Sequence, residues 1–203
     1  MAIVVYLETE NGNFKKSALE VSSYGRKLAD ETKTNLYGIT FNSSASLKIQ
    51  KYGVEKLINI KTDNVFDAKI YADLLCKNFK DLGGTIFITG SSADSRFIFP
   101  IVSITLGASY ASNVVEFPSS FSPLVLKRSA FTNKGFVFTE LKTNHKIIGI
   151  LNNSYGIYES ERKLEVIEYT PEDMDSNIQV ESIKEDEEKI SIADAEIVVS
   201  GGR

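Results

Sequence analysis

Hydrophobic and polar positions alternate in two registers along the first half of the chain. Ala2 to Glu8 ("AIVVYLE") is a nearly unbroken apolar run, the pattern of a strand covered on both faces. "NGN" (11–13) then turns the chain. Ser17 and Glu20 have capping-box spacing, and Ala18, Val21, Gly25, Leu28, Ala29 and Thr32 recur on one helical face. Gly25 on that face weakens a helix by up to ~1 kcal/mol relative to Ala, so close packing on a sheet is expected there. "NLYGITF" (35–41) predicts the second strand, 44–52 a short helix and "VEKLINI" (54–60) the third strand. "DAKIYADLLCKNFKD" (67–81) predicts a helix stopped by Gly83 and Gly84. "TIFITG" (85–90) is the fourth strand, 92–106 a helix and "ASNVVEF" (111–117) the fifth strand.

Such alternation predicts an α/β fold: an open, mainly parallel, doubly wound sheet with helices on both faces. After Pro118 the pattern changes. "PLVLKRSAF" (123–131), "KGFVFTELK" (134–142) and "KIIGIL" (146–151) follow one another with only turns between them, and predict an antiparallel addition. "KLEVIEYT" (163–170) reads as one further strand.

Charge divides the chain. Between Glu159 and Lys189 there are 12 acids and 4 bases, a net of −8, in a chain of formal charge −4, so the remainder carries +4. A run of this kind reads as a solvated connection. The expected organisation is a domain over 1–171, a flexible acidic linker over 172–190 and the first strand and turn of a further unit over 191–203. A weakly charged body gives no reason to expect nucleic acid. The single cysteine, Cys76, precludes an intrachain disulfide and suggests a reducing, cytoplasmic setting. No stretch approaches the ~20 apolar residues of a membrane span.

Candidate chemistry is sparse. His145, the only histidine, falls in a turn and reads as a solvent-exposed residue. Cys76 shares a helix face with Ala72, Leu75 and Phe79 and reads as core. One His and one Cys do not make a zinc site, so no metal and no catalytic residue is expected. "TGSSADSR" (89–96) joins a strand to a helix, where backbone N–H groups suit an anion; a helix cap at Ser92 or Ser95 is the simpler reading. The helix that follows, "FIFPIVSITLGA" (97–108), is apolar nearly all round, with Pro100 inside it. Either a protein partner covers it or it lies deep in the core.

Five segments together resemble the N-terminal domain of the electron-transfer flavoprotein alpha subunit family. They are "VVYLETENGNFKKSALEVSSYGRKLAD" (4–30), "YGVEKLINI" (52–60), "SADSRFIFPIVSITLGASYASNVVEF" (92–117), "LKRSAFTNKGF" (126–136) and "IVVSGGR" (197–203). The resemblance implies a scaffold and docking domain that performs no chemistry. Its partner would be an electron-transfer flavoprotein beta subunit, and the parent heterodimer would carry electrons from flavin-dependent dehydrogenases through FAD. The "SGGR" match makes Arg203 the one carried-over FAD contact, and implies a chain that stops where the flavin domain starts, with no cofactor of its own. The chain departs from the family at "PIVSITL" (100–106), where basic residues are usual, and at "TNK" (132–134), where "AGN" is usual, so a rebuilt contact surface is implied. Two rival readings stand beside this one. One is an independent adenine-nucleotide-binding α/β domain, its site built from Thr89, Gly90, Ser91, Ser92 and the end of the first strand near Glu8. The other is a stand-alone interaction domain.

Overall fold

A computed structural model describes residues 2–63, 66–172, 176, 178, 181 and 198–202. The first strand, β1 (Ala2–Tyr6), is buried at every position. A small hairpin of β2 (Thr9–Glu10) and β3 (Asn13–Phe14) turns at Asn11 and Gly12, both at positive φ, as "NGN" predicts. Helix α1 (Lys16–Thr32) follows, ended by Lys33 in the left-handed conformation. The expected capping box does not form. The N-cap is Lys15, with no side-chain cap bond, and Glu20 instead accepts from backbone N–H groups of Asn153, Tyr155 and Gly156.

Strand β4 (Asn35–Phe41) leads through a 3-10 helix, Ser46–Tyr52, to β5 (Lys56–Ile60). Helix α2 (Ala68–Asp81) is capped by Asp67, whose carboxylate accepts from the N–H groups of Lys69 and Ile70. Next come β6 (Gly84–Gly90), α3 (Ala93–Leu106) and β7 (Ser109–Val114). Then β8 (Ser120–Phe121), β9 (Leu124–Ala130) and β10 (Gly135–Leu141) precede β11 (Lys146–Ile150) and β12 (Glu165–Tyr169).

Among the described residues, ten strands form one sheet in the order β10-β9-β7-β11-β6-β1-β4-β5-β12, with β8 beside β9. From β7 to β12 every pairing is parallel. Strands β8, β9 and β10 form an antiparallel extension at one edge. Residues 146–151, expected in that extension, do not belong to it: β11 inserts between β6 and β7, parallel to both. The reason lies in its side chains. Ile147 enters the core on one face, and Ile148 and Ile150 the core on the other. A strand apolar on both parities is stabilised most where both sheet faces are covered.

Those two cores follow from the period of two along each strand. Ile3, Val5 and Leu7 face α1, with Val21, Tyr24, Leu28 and Ile88. Val4 and Tyr6 face α2 and α3, with Phe79, Phe87, Phe99 and Val102. The β1 crossover through α1 runs to β4, on one side of β1. The β6 crossover through α3 runs to β7, on the other side. The winding direction therefore switches between β1 and β6, and the carboxyl ends of these two strands are where open α/β sheets place a ligand crevice.

Gly25 fits the expectation of close approach. A Cβ there would stand 2.8 Å from Val5 Cγ1 and 2.9 Å from Leu36 Cδ1. The lost helix propensity is thus exchanged for contact between α1 and the sheet. Gly25→Val is expected to lower stability by about 1–3 kcal/mol through overpacking, read as a lower urea midpoint at unchanged slope.

Candidate functional site

At the switch-point crevice position, the carboxyl ends of β1 and β6 bring together side chains from three elements. Glu8 follows β1 and, by strand alternation, faces the same side as Val4 and Tyr6, toward α3. Thr89 and Gly90 end β6, and Ser92 is the N-cap of α3, accepting from the Ser95 N–H at 3.0 Å. Of the two capping readings, Ser92 is the one the fold adopts. Glu8 is only 6% exposed. Its Oε1 accepts from Ser92 Oγ at 2.5 Å and from Ser95 Oγ at 2.6 Å. Ser95 Oγ, its own proton directed to Glu8, lies 2.9 Å from Thr89 Oγ1 and accepts from it. Ser91 turns away and donates to the Ile150 carbonyl at 2.8 Å.

Thr89, Gly90, Ser92 and Glu8 therefore converge as the nucleotide reading expects, but the anion at the start of α3 is the chain's own carboxylate. A phosphate brought there would meet Glu8. The same obstacle applies to a flavin pyrophosphate at this crevice. Arg203, the residue assigned to FAD by resemblance, lies outside the described residues, as do most of the linker 172–190 and of the segment 191–203.

A second buried carboxylate was not legible as such in the sequence. Glu20, on α1, accepts from the backbone N–H groups of Asn153 at 2.8 Å, Tyr155 at 2.7 Å and Gly156 at 3.0 Å. Ser23, one turn on, accepts from the Tyr158 N–H and donates to the Tyr158 carbonyl. These bonds fasten the segment after β11 across α1. Only the three-dimensional path of 151–158 shows why Glu20 forgoes the cap.

Cys76 is buried, as expected, and burial pushes its thiol up to about 11. His145 is not a free surface residue. It is half-buried, with its ring edge-on to Phe79 at 5.5 Å, because the turn before β11 closes over α2.

The second feature is a surface. Helix α3 buries Ile98, Phe99, Val102 and Leu106 and leaves Phe97 66% and Ile104 84% exposed, with Pro100 exposed between them. It is not a deep core helix: one face packs on the sheet and the other presents an apolar stripe. The element runs unbroken through Pro100. The antiparallel extension adds exposed Phe131, Phe136 and Phe138, with Lys127 Nζ 4.5 Å above the Phe136 ring. Single exposed apolar side chains are ordinary; a stripe at i, i+3 and i+7 on one helix indicates contact with something else.

The mostly parallel α/β sheet with its small antiparallel part is consistent with what a comparison with known families finds. The profile of the electron transfer flavoprotein domain matches residues 3–174. The chain belongs to the electron transfer flavoprotein domain family. No curated protein matches it. Family membership links this chain to electron transport. Within such a domain, Glu8 and Glu20 act as internal hydrogen-bond acceptors, and no described residue stands out as a redox or nucleophilic group. Among the described residues, no helix is long and apolar enough to cross a membrane.

Thiol chemistry provides a test. With the Cys76 thiol near 11, the folded protein at pH 8 should react with iodoacetamide about 100-fold more slowly than an unfolded cysteine. The rate should rise with pH up to that value, and urea should abolish the protection.

Proposed function

We propose that this chain is the N-terminal scaffold and docking domain of an electron-transfer flavoprotein alpha subunit, that it binds a beta subunit, and that FAD belongs to the parent heterodimer. In this reading the domain performs no catalysis. It supports a flavin-bearing unit, joined through the acidic segment 172–190, in a carrier that accepts electrons from flavin-dependent dehydrogenases in the cytoplasm. The observation that carries the reading is the outer face of α3: Phe97, Pro100 and Ile104 stand in water on a helix whose other face is fully packed. Exposed Phe136 and Phe138 add apolar surface on the edge strand β10. The nucleotide-binding alternative is less favoured, because the α3 N-terminus that would hold a phosphate already holds Glu8.

Co-expression with an electron-transfer flavoprotein beta subunit tests this. The two chains should elute together in gel filtration. Phe97→Asp with Ile104→Asp should weaken the complex at least about 100-fold, as loss of a central apolar contact does. Melting of the isolated chain should be nearly unchanged, since both side chains are exposed. Equal binding by the variant, or no complex with the wild-type chain, would refute the docking reading.

A further inference from the structure

The Glu8 carboxylate is poised in a way that its capping partners do not fully account for. The crevice at the β1–β6 switch is where open α/β sheets hold the anionic part of a ligand. The start of α3 contributes a positive end equivalent to about half a charge. Glu8 fills that position with 6% exposure, and among the described residues only one of its oxygens has a hydrogen-bond partner. Oε1 takes both serine hydroxyls. Among the described residues Oε2 is buried with no hydrogen-bond partner, and Lys15 Nζ stands 3.9 Å away. Burying an ionised carboxylate with an oxygen left over is costly, so the helix end, the two hydroxyls and the lysine must together form a good anion environment.

We propose that Glu8 is a built-in anion: it occupies the oxyanion position of the switch-point crevice and keeps phosphates and nucleotides out. The site is then a real small-oxyanion site that becomes exchangeable when the side chain is cut back. Ser92 and Ser95 supply the hydroxyl donors, Lys15 the nearby cation and α3 the dipole. The atoms removed in Glu8→Ala, a methylene and a carboxylate, have the size and charge of acetate. The inference does not rest on the docking reading, because it concerns an internal position on the opposite end of α3 from Ile104.

Thermal melting of the 203-residue chain with sodium acetate, against sodium chloride at equal ionic strength, is the test. Glu8→Ala should lower Tm by about 5 °C. Acetate should then restore much of the loss along a saturable curve of the form expected for a ligand of the native state. Val102→Ala, a cavity on the same helix, should lose stability without regaining it in acetate. Glu8→Gln, which removes the charge but fills the space, should not respond to acetate. The wild-type chain should show no rise in Tm with acetate or AMP. If Glu8→Ala is unfolded in buffer, the same titration should recover its far-UV circular dichroism. The proposal is overturned if acetate acts on Glu8→Ala no more than on Val102→Ala, if it does not recover an unfolded Glu8→Ala, if it acts equally on Glu8→Gln, or if AMP stabilises the wild-type chain.

Discussion

Burial of the parallel sheet on both faces is the constraint on which the other features rest. Strand β1 sits near the middle of the sheet and is buried at all five positions. Its odd residues need α1 and its even residues need α2 and α3. Once both faces are committed, each helix must lie close to the sheet. Gly25 permits this for α1 by leaving room for Val5 and Leu36. The same demand places β11 in the interior, where its isoleucines can be shared between the two cores. What remains for the surface is the outer side of α3 and the antiparallel extension, and the exposed apolar groups concentrate there.

Polar groups caught between such layers have to be answered by the chain itself. Two glutamates show two ways of doing so. Glu20 is met by backbone N–H groups from a segment that would otherwise lie loose over α1. Glu8 is met by hydroxyls at a helix start. Asn59 is a third case, wholly buried, accepting from the Ser43 N–H and donating to the Ser43 carbonyl, Ser46 and Glu168. In each the polar side chain joins elements distant in sequence, so a single group fixes both a local conformation and a tertiary contact.

Much of this architecture could be read from periodicity. The strand at 35–41, the helix starting after Asp67 and the turn at 11–13 match their sequence patterns, because local preference and tertiary environment agree there. Two features escaped for a common reason. The spacing of Lys146–Ile150 groups it with its sequence neighbours, since hairpin-like spacing says nothing about which strands a segment will separate in space. Ser17 and Glu20 had the spacing of a cap, but the competing partners of Glu20 come from 153–156, more than a hundred residues away. In the crevice, sequence brought Glu8 and residues 89–92 to the same place. It did not reveal that the acid would be the anion rather than a ligand's neighbour. The apolar pattern of 97–108 suits a core helix and a docking surface equally; the exposed Ile104 decides against the core.

The insertion of β11 has a consequence for biosynthesis. Strands β6 and β7 both leave the ribosome before the strand that separates them, so each still lacks β11 when it emerges. The whole β8–β10 excursion must be made before residues 146–150 can enter the gap. Strand β12 comes later still, to pair with β5, made about a hundred residues earlier. Non-local pairings of this kind are slow to form and leave apolar edges open meanwhile. The nascent chain therefore carries an incomplete sheet until nearly the whole matched domain has been synthesised, and its apolar edges are most open to aggregation in this interval.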